Sequence, residues 1–142
     1  MIKLLYKASK AGVKIKLIIR GACCLVPQIK NLSENIEVIS IVDKYLEHAR
    51  MVIFGNGGDE KTYILSADWM TRNLDRRVEV GIPIIDKSIQ KTLKDVFKIQ
   101  WSDNVKARLT DSDGVNSYVQ SDSDIKIRSQ VELYNYYLEN NK

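Results

Sequence analysis

VKIKLIIR, residues 13–20, is the stretch that decides the fold. Apolar and charged residues alternate in its first half, and its second half is continuously apolar, which is typical of a strand that enters a buried sheet. IEVISIV, residues 36–42, predicts a second strand of the same kind. Upstream, residues 2–11 place apolar side chains on one side of a helix that Gly12 ends. Strands mixed with helices predict an α/β fold.

The rest of the chain continues this alternation of strands and helices. Residues 50–54 and 62–67 are predicted to form a hairpin, because GNGGD at residues 55–59 suits a turn with positive φ angles. A fifth strand is expected at residues 78–84, ended by Pro83. The remaining predicted elements are a helix that Asp86 caps and that runs to residue 101, an exposed loop at about residues 110–124, and a C-terminal helix at about residues 125–139. Together they predict one domain over residues 1–142, an α/β sandwich in which a mixed β-sheet is flanked by helices.

Helical spacing predicts which faces of the last two helices are apolar. In the first, Ile89, Leu93, Val96 and Phe97 form the predicted buried face, and in the second Ile127, Val131, Tyr134 and Leu138 align. The three tyrosines of the last helix are assigned to the core and an interface rather than to base stacking: Tyr134, Tyr136 and Tyr137.

Composition narrows the classes of function. The 142 residues are 44% hydrophobic and 28% charged, with a formal net charge of +4. No apolar run approaches the roughly 20 residues that span a bilayer, and residues 1–12 lack the pattern of a signal peptide, so we expect the cytoplasm. One histidine and the adjacent Cys23 and Cys24 are too few for a closed zinc site, and no metal ligand is assigned. A first helix that starts at Met1 without a capping residue suggests a segment cut from a longer helix.

His48 is the only histidine and leads into the strand predicted at residues 50–54. Strand alternation predicts that His48 and Arg50 project side by side. Such a pair suits a phosphate site, because arginine supplies fixed charge and a fork of donors while histidine can exchange a proton or attack phosphorus. A surface or structural histidine is the alternative that the residues leave open.

Ser66, Asp68 and Asn73 cluster in the sequence where the hairpin ends. Hydroxyl, carboxylate and amide groups there could orient a neighbouring histidine and bind phosphate oxygens. A turn or a helix cap built from the same residue types is the alternative.

Arg20 ends the first strand and is followed by Gly21. In open α/β sheets the carboxyl ends of strands face the ligand crevice, which makes Arg20 a candidate phosphate-binding residue. Its alternative is a surface salt bridge. Short basic runs around residues 14–20 and 72–77 could attract a polyanion but also fit a solvated surface, and no nucleic-acid partner is predicted. The GNGG stretch at residues 55–58 lacks the ending of a phosphate-binding Walker loop and lies between strands.

Four blocks of this sequence, taken together, resemble the polyphosphate kinase family in order and spacing. They are IIRGAC (residues 18–23), ISIVDKYLEHAR (39–50), SADWMTRN (66–73) and VKAR (105–108). The resemblance extends over nearly the whole chain and implies a phospholipase-D-like fold, of which this chain would be the second of two related catalytic domains. The implied activity is the reversible transfer of the terminal phosphate of ATP to polyphosphate, through a phosphohistidine in the preceding domain.

The resemblance also implies roles for residues of this chain. His48 would be the second histidine of the site, contacting nucleotide or phosphate and exchanging a proton, and Arg20 would bind nucleotide phosphate. Arg50 stands where phospholipase D has lysine, which weakens the case for phosphodiester hydrolysis. Mg²⁺ is expected to accompany ATP, with most protein ligands outside this segment. The implied partners are ATP or ADP, polyphosphate, the preceding catalytic domain of the same polypeptide and further copies of the enzyme, in the cytoplasm or peripheral to the membrane.

Two alternatives belong to other classes. One is a phospholipase-D-like phosphodiesterase in which two copies of His48 meet across a dimer. The other is a non-catalytic module for polyanion binding or assembly, which would use the basic residues and the aromatic last helix. If the chain is part of a polyphosphate kinase, we expect it to supply half of the active site and to be inactive alone.

Overall fold

The computed structural model describes residues 1–121 and 124–140, which form a mixed α/β fold. In chain order its elements are α1 (Ile2–Lys10), β1 (Ile15–Ile18), β2 (Ile36–Ile41), β3 (Met51–Phe54), β4 (Lys61–Leu65), α2 (Thr71–Arg76), β5 (Gly81–Ile84), α3 (Lys87–Trp101), β6 (Ala107–Leu109) and α4 (Ser129–Asn140). The chain divides into two compact units: unit 1 comprises Met1–Glu47 and Ile99–Lys142, and unit 2 comprises His48–Lys98.

Unit 1 contains a mixed sheet with strand order β1-β2-β6. Its central strand β2 pairs in parallel with β1 and antiparallel with β6. Ile36 and Val38 belong to one buried cluster, whereas Ile39 and Ile41 belong to another with Ala107. Residues that alternate along a strand face opposite sides, so β2 is buried on both faces, which explains why it carries isoleucine or valine on both of them. Burying one such isoleucine stabilises the fold by about 1.5–3 kcal/mol.

Unit 2 contains an antiparallel sheet with strand order β3-β4-β5. The predicted hairpin between β3 and β4 is confirmed, and its turn holds Asn56, Gly57 and Gly58 at positive φ. Pro83 lies within β5 opposite Tyr63 and does not end the strand. β5 is an edge strand of this sheet, where a residue without an N–H is tolerated.

The prediction of one mixed sheet was wrong, because the described strands form two three-stranded sheets. The first strand is also shorter than predicted and covers Ile15–Ile18 rather than residues 13–20. Two elements were not predicted at all, the three residues of β6 and the six residues of α2. Both are too short to show a periodic pattern.

Asp86 caps α3 as expected, since its Oδ1 accepts hydrogen bonds from the main-chain nitrogens of Ser88 at 2.7 Å and Ile89 at 3.2 Å. The predicted apolar face holds only in part: Val96 is buried, but the Ile89 side chain is 48% exposed.

The last helix begins at Ser129 rather than near residue 125. Asn104 explains the difference, because its side chain donates to the carbonyl of Ile125 at 2.8 Å and accepts from the main-chain nitrogen of Ile127 at 2.8 Å. The first of these bonds occupies the Ile125 carbonyl, which a helix beginning there would use for its own first hydrogen bonds. Of the tyrosines assigned to the core and an interface, Tyr134 is 65% exposed and Tyr137 is 44% exposed, so these two do not lie in the core of this chain, and their place in an interface stays a prediction.

The segment predicted as an exposed loop is attached to β6. The Leu109 main-chain nitrogen donates to the carbonyl of Ser117 at 2.8 Å, and that of Val119 donates to the carbonyl of Ala107 at 2.9 Å. Residues 112–118 are exposed. Residues 122–123 of the predicted loop lie outside the described residues.

Candidate functional site

Arg20 lies in unit 1, two residues beyond the end of β1, and is half-buried. Its Nη1 donates a hydrogen bond to the main-chain carbonyl of Glu47. Within residues 1–121 and 124–140 the guanidinium forms no ion pair with a carboxylate, so the surface salt bridge considered for this residue is not observed. Because the carbonyl is uncharged, the positive charge of Arg20 is not neutralised by this contact, which suits a group that binds phosphate.

Residues 43–47 of unit 1 are held by polar side chains that surround the start of α4. Arg128 and Asp43 form a two-pronged ion pair, with Nε to Oδ2 at 2.8 Å and Nη2 to Oδ1 at 2.6 Å. The hydrogen bond from Arg128 keeps the pKa of Asp43 below its usual value. Gln130 contacts Tyr45 and Glu47 in the same segment.

His48 begins unit 2 and is exposed. The prediction that His48 and Arg50 lie side by side on a strand was wrong, because β3 begins only at Met51. Arg50 instead turns its Nη1 toward the main-chain carbonyl of His48, at 3.3 Å. The main chain at Arg50 still pairs with the neighbouring strand, through a hydrogen bond of 2.9 Å from the Leu65 nitrogen to the Arg50 carbonyl.

Arg50 and Asp68 form an ion pair in unit 2, with Nε and Oδ1 2.7 Å apart. This contact raises the pKa of Arg50 above its ordinary value. Arg72 lies further from the same carboxylate, with Nη2 3.9 Å from Oδ2. Asp68 therefore orients the Arg50 guanidinium and offsets part of the charge of both arginines.

Ser66 and Asn73 are both hydrogen-bonded to Glu79, a residue that was not predicted from the sequence as part of the site. The Ser66 hydroxyl and the Asn73 amide both donate to the Glu79 carboxylate, the latter at 2.7 Å. The hydrogen bond from Ser66, followed by that from Asn73, keeps the pKa of Glu79 below its usual value. Asn73 is 4% exposed and its Oδ1 is buried without a described partner. A possible signal was the position of Glu79 in the strand predicted at residues 78–84, since consecutive strands often pair and would bring it near Ser66.

The described residues contain no group of three or more His, Cys, Asp or Glu side chains arranged to hold a metal ion. No Mg²⁺ ligand is therefore assigned to this chain. None of the described helices is long and apolar enough to cross a membrane.

Comparison of the sequence with known proteins shows which family the chain resembles. The family model described as polyphosphate kinase C-terminal domain 2 matches residues 1–130. The chain is 54% identical over 132 residues to the polyphosphate kinase of Vibrio parahaemolyticus, covering 93% of the chain and 19% of that protein. It is 48% identical over 132 residues to that of Escherichia coli, with the same two coverages.

A solved structure is similar as well. The crystal structure of polyphosphate kinase from Porphyromonas gingivalis superposes with a TM-score of 0.94 at 45% identity, over 98% of this chain and 21% of that one. The chain thus spans about a fifth of the length of the relatives it matches.

Proposed function

The chain belongs to the polyphosphate kinase family, and we propose that it supplies half of the active site of an enzyme that reversibly transfers the terminal phosphate of ATP to polyphosphate. In this proposal the chain is the second of two phospholipase-D-like domains, and a phosphohistidine forms in the preceding one. The mixed α/β architecture and the match over residues 1–130 support the assignment.

The observation that carries the proposal is the hydrogen bond from Arg20 to the main-chain carbonyl of Glu47, the residue that precedes His48. It shows that Arg20, far upstream in sequence, contacts the backbone that leads into the single histidine. Phosphoryl transfer depends mainly on positioning and on offsetting negative charge. Arg20 would offset charge on the nucleotide phosphates, and His48 would contact the transferred phosphate and exchange a proton.

Residues of unit 2 would support His48 rather than contact phosphate directly. Arg50 is committed to Asp68 and to the carbonyl of His48, so its role would be to hold that part of the backbone. Ser66 and Asn73 would hold the charged Glu79. Mg²⁺ bound with ATP would supply further charge compensation, with protein ligands outside this chain.

The remaining partners follow from the same proposal. They are ATP or ADP, polyphosphate, the preceding catalytic domain, and other copies of the enzyme, in the cytoplasm or at the membrane surface. The chain by itself would show no kinase turnover, because the phosphorylated histidine and the pocket for the nucleotide base would lie in the rest of the enzyme. Synthesis of polyphosphate from ATP by the 142-residue chain alone would contradict this assignment.

A chimera tests the proposal directly. This chain replaces the matched segment of the Vibrio parahaemolyticus polyphosphate kinase, and ATP-dependent polyphosphate synthesis is assayed while the phosphoenzyme is trapped in parallel. We expect His48→Ala and Arg20→Ala each to lower synthesis by at least about 100-fold while the chimera stays folded. Lys91→Ala, which removes an exposed pair with Asp95 on α3, is the matched control and should be neutral. Full activity of both site variants would leave the chain a structural or binding module.

A further inference from the structure

We propose that Arg128 and Gln130 are positioning residues for phosphoryl transfer, because they hold the backbone of residues 43–47, from which the chain passes directly to His48. The inference rests on the proposed function, in which His48 and Arg20 belong to the phosphate site. It adds two residues that neither contact phosphate nor lie near His48 in the sequence.

Arg128 fixes the start of this segment. Its guanidinium meets the Asp43 carboxylate through two hydrogen bonds, one to each carboxylate oxygen, of 2.8 Å and 2.6 Å. The Asp43 side chain is 2% exposed and that of Arg128 is 39% exposed. A two-pronged arginine–carboxylate pair defines orientation as well as distance, which one ammonium group could not do.

Gln130 fixes the end of the segment through its side-chain amide. Its Oε1 accepts from the main-chain nitrogen of Tyr45 at 3.0 Å, and its Nε2 donates to the carbonyl of Tyr45 at 2.8 Å. The same Nε2 donates to the Glu47 carboxylate at 2.8 Å. One side chain thus satisfies the main chain of Tyr45 much as a neighbouring strand would.

Arg20 contacts the same segment, at the main-chain carbonyl of Glu47. Glu47 is therefore held through its carbonyl by Arg20 and through its carboxylate by Gln130. Displacing Glu47 would remove the hydrogen-bonding partner of Arg20 and would also move the backbone from which His48 follows.

Hydrophobic burial does not hold this segment in place. Residues 42–50 form no helix or strand, and Tyr45 and Leu46 are 63% and 69% exposed. Its position therefore depends on polar contacts, chiefly those from Arg128, Gln130 and Arg20. A longer one comes from Gln100, whose Nε2 donates to the Glu47 carboxylate at 3.4 Å. Catalytic geometry is sensitive to such support, because a misplacement of about 1 Å can reduce a rate about 100-fold.

Substitutions in the chimera described above test the inference. Gln130→Met keeps the length of the side chain and removes its hydrogen bonds. Arg128→Lys keeps the positive charge but cannot form both hydrogen bonds to Asp43 in the same arrangement. We expect each to raise KM for ATP by about tenfold and to lower kcat, because displacement of Glu47 would move Arg20 and His48 out of position for the phosphates. A merely structural role would reduce the amount of folded enzyme and so lower the apparent kcat, but would leave KM unchanged. Asn135→Ala, on the exposed part of α4, is the matched control and should change neither constant.

Amide hydrogen exchange of the same variants supplies a measurement that does not depend on activity. Exchange across residues 43–47 should accelerate in Gln130→Met and Arg128→Lys but not in Asn135→Ala. Unchanged exchange in this segment, or KM values within about twofold of the unsubstituted chimera for both variants, would overturn the inference. Failure of the proposed function itself looks different, since His48→Ala would then leave the chimera fully active.

Discussion

The carboxylate of Asp103 and the main-chain nitrogen of Ser129 are joined by a hydrogen bond of 2.7 Å at the first residue of α4. The same side chain accepts hydrogen bonds from three consecutive main-chain nitrogens at the entrance of β6, those of Val105, Lys106 and Ala107. Asp103 is fully buried. One carboxylate therefore joins β6 to the start of the helix that holds residues 43–47.

Asp103→Asn should destabilise the protein by about 1–3 kcal/mol. The amide of asparagine keeps one acceptor oxygen but presents an N–H group to either the Ser129 nitrogen or the β6 nitrogens, so at least one buried donor loses its acceptor. Urea denaturation of the 142-residue chain measures the change in the free energy of unfolding. Asp59→Asn, at an exposed carboxylate paired only with Lys61, is the control and should leave the urea midpoint unchanged. An equal shift for both variants would contradict the structural role given to Asp103.

Acid should weaken the fold through the same carboxylate and through Asp43. Burial raises the pKa of Asp103, but hydrogen bonds from main-chain N–H groups outweigh it and the pKa lies below its usual value. The pKa of Asp43 is lowered chiefly by its hydrogen bond from Arg128. A carboxyl group whose folded pKa is depressed stabilises the fold above its unfolded pKa of about 3.9 and loses that contribution as pH falls through the folded value.

The free energy of unfolding should therefore change little from about pH 7 to about pH 5 on account of these groups and fall steeply below about pH 4. Asp43→Asn should be less stable at neutral pH and should lose less on acidification. Urea titrations across this range decide the point, and an identical acid loss in the variant would show that Asp43 does not contribute.

The fold was predictable where a local pattern carried the information. The stretches at residues 13–20 and 36–42 each contain a strand, Ile15–Ile18 and Ile36–Ile41, and the GNGGD turn joins β3 to β4. The division into two sheets was not predictable, because strand pairing is decided by contacts far apart in sequence. β6 illustrates this, since three residues become a strand only by pairing with β2.

The candidate site was predictable by residue type but not by partner. Arg50 and Asp68 were both predicted as candidate site residues. Their ion pair spans 18 positions in the sequence, and no local pattern predicts it. Arg128 lies 85 positions from Asp43 and carried no signal at all in the sequence. Side-chain partners of this kind follow from the tertiary fold, and only after it is known can their roles be inferred.

Glu79→Gln should impair the chimera about tenfold in kcat/KM. Glu79 accepts hydrogen bonds from both Ser66 and Asn73, and a neutral amide offers only one acceptor oxygen to the two donors. Polyphosphate synthesis at several ATP concentrations measures the effect. Glu60→Gln, which affects an ion pair with Lys94 elsewhere in unit 2, is the control and should leave kcat/KM unchanged. Equal losses for both variants would mean that a change of charge in this unit, and not the Glu79 contacts, is responsible.

Arg50→Lys separates the kinase from a phosphodiesterase. Arginine reaches Asp68 and the His48 carbonyl at once through two nitrogens, whereas lysine has a single nitrogen to offer. We expect polyphosphate synthesis by the chimera to fall about tenfold, with no hydrolysis of a chromogenic phosphodiester gained. If the chain alone hydrolysed the phosphodiester, and if His48→Ala abolished that hydrolysis, the dimeric phosphodiesterase would be favoured instead.

The chain alone should bind tripolyphosphate weakly, and Arg20→Gln should weaken that binding by about tenfold, the effect of losing a charged donor. The affinity should also fall with added salt, because ions screen the charge of the half-buried Arg20 guanidinium. Isothermal titration of tripolyphosphate into the unsubstituted chain, Arg20→Gln and the double variant with His48→Ala measures this directly. Lys91→Ala is the control for a nonspecific loss of one positive charge, and its affinity should match that of the unsubstituted chain. Affinity that survives in the double variant would place polyanion binding on other basic residues and would favour a binding or assembly module over half of an active site.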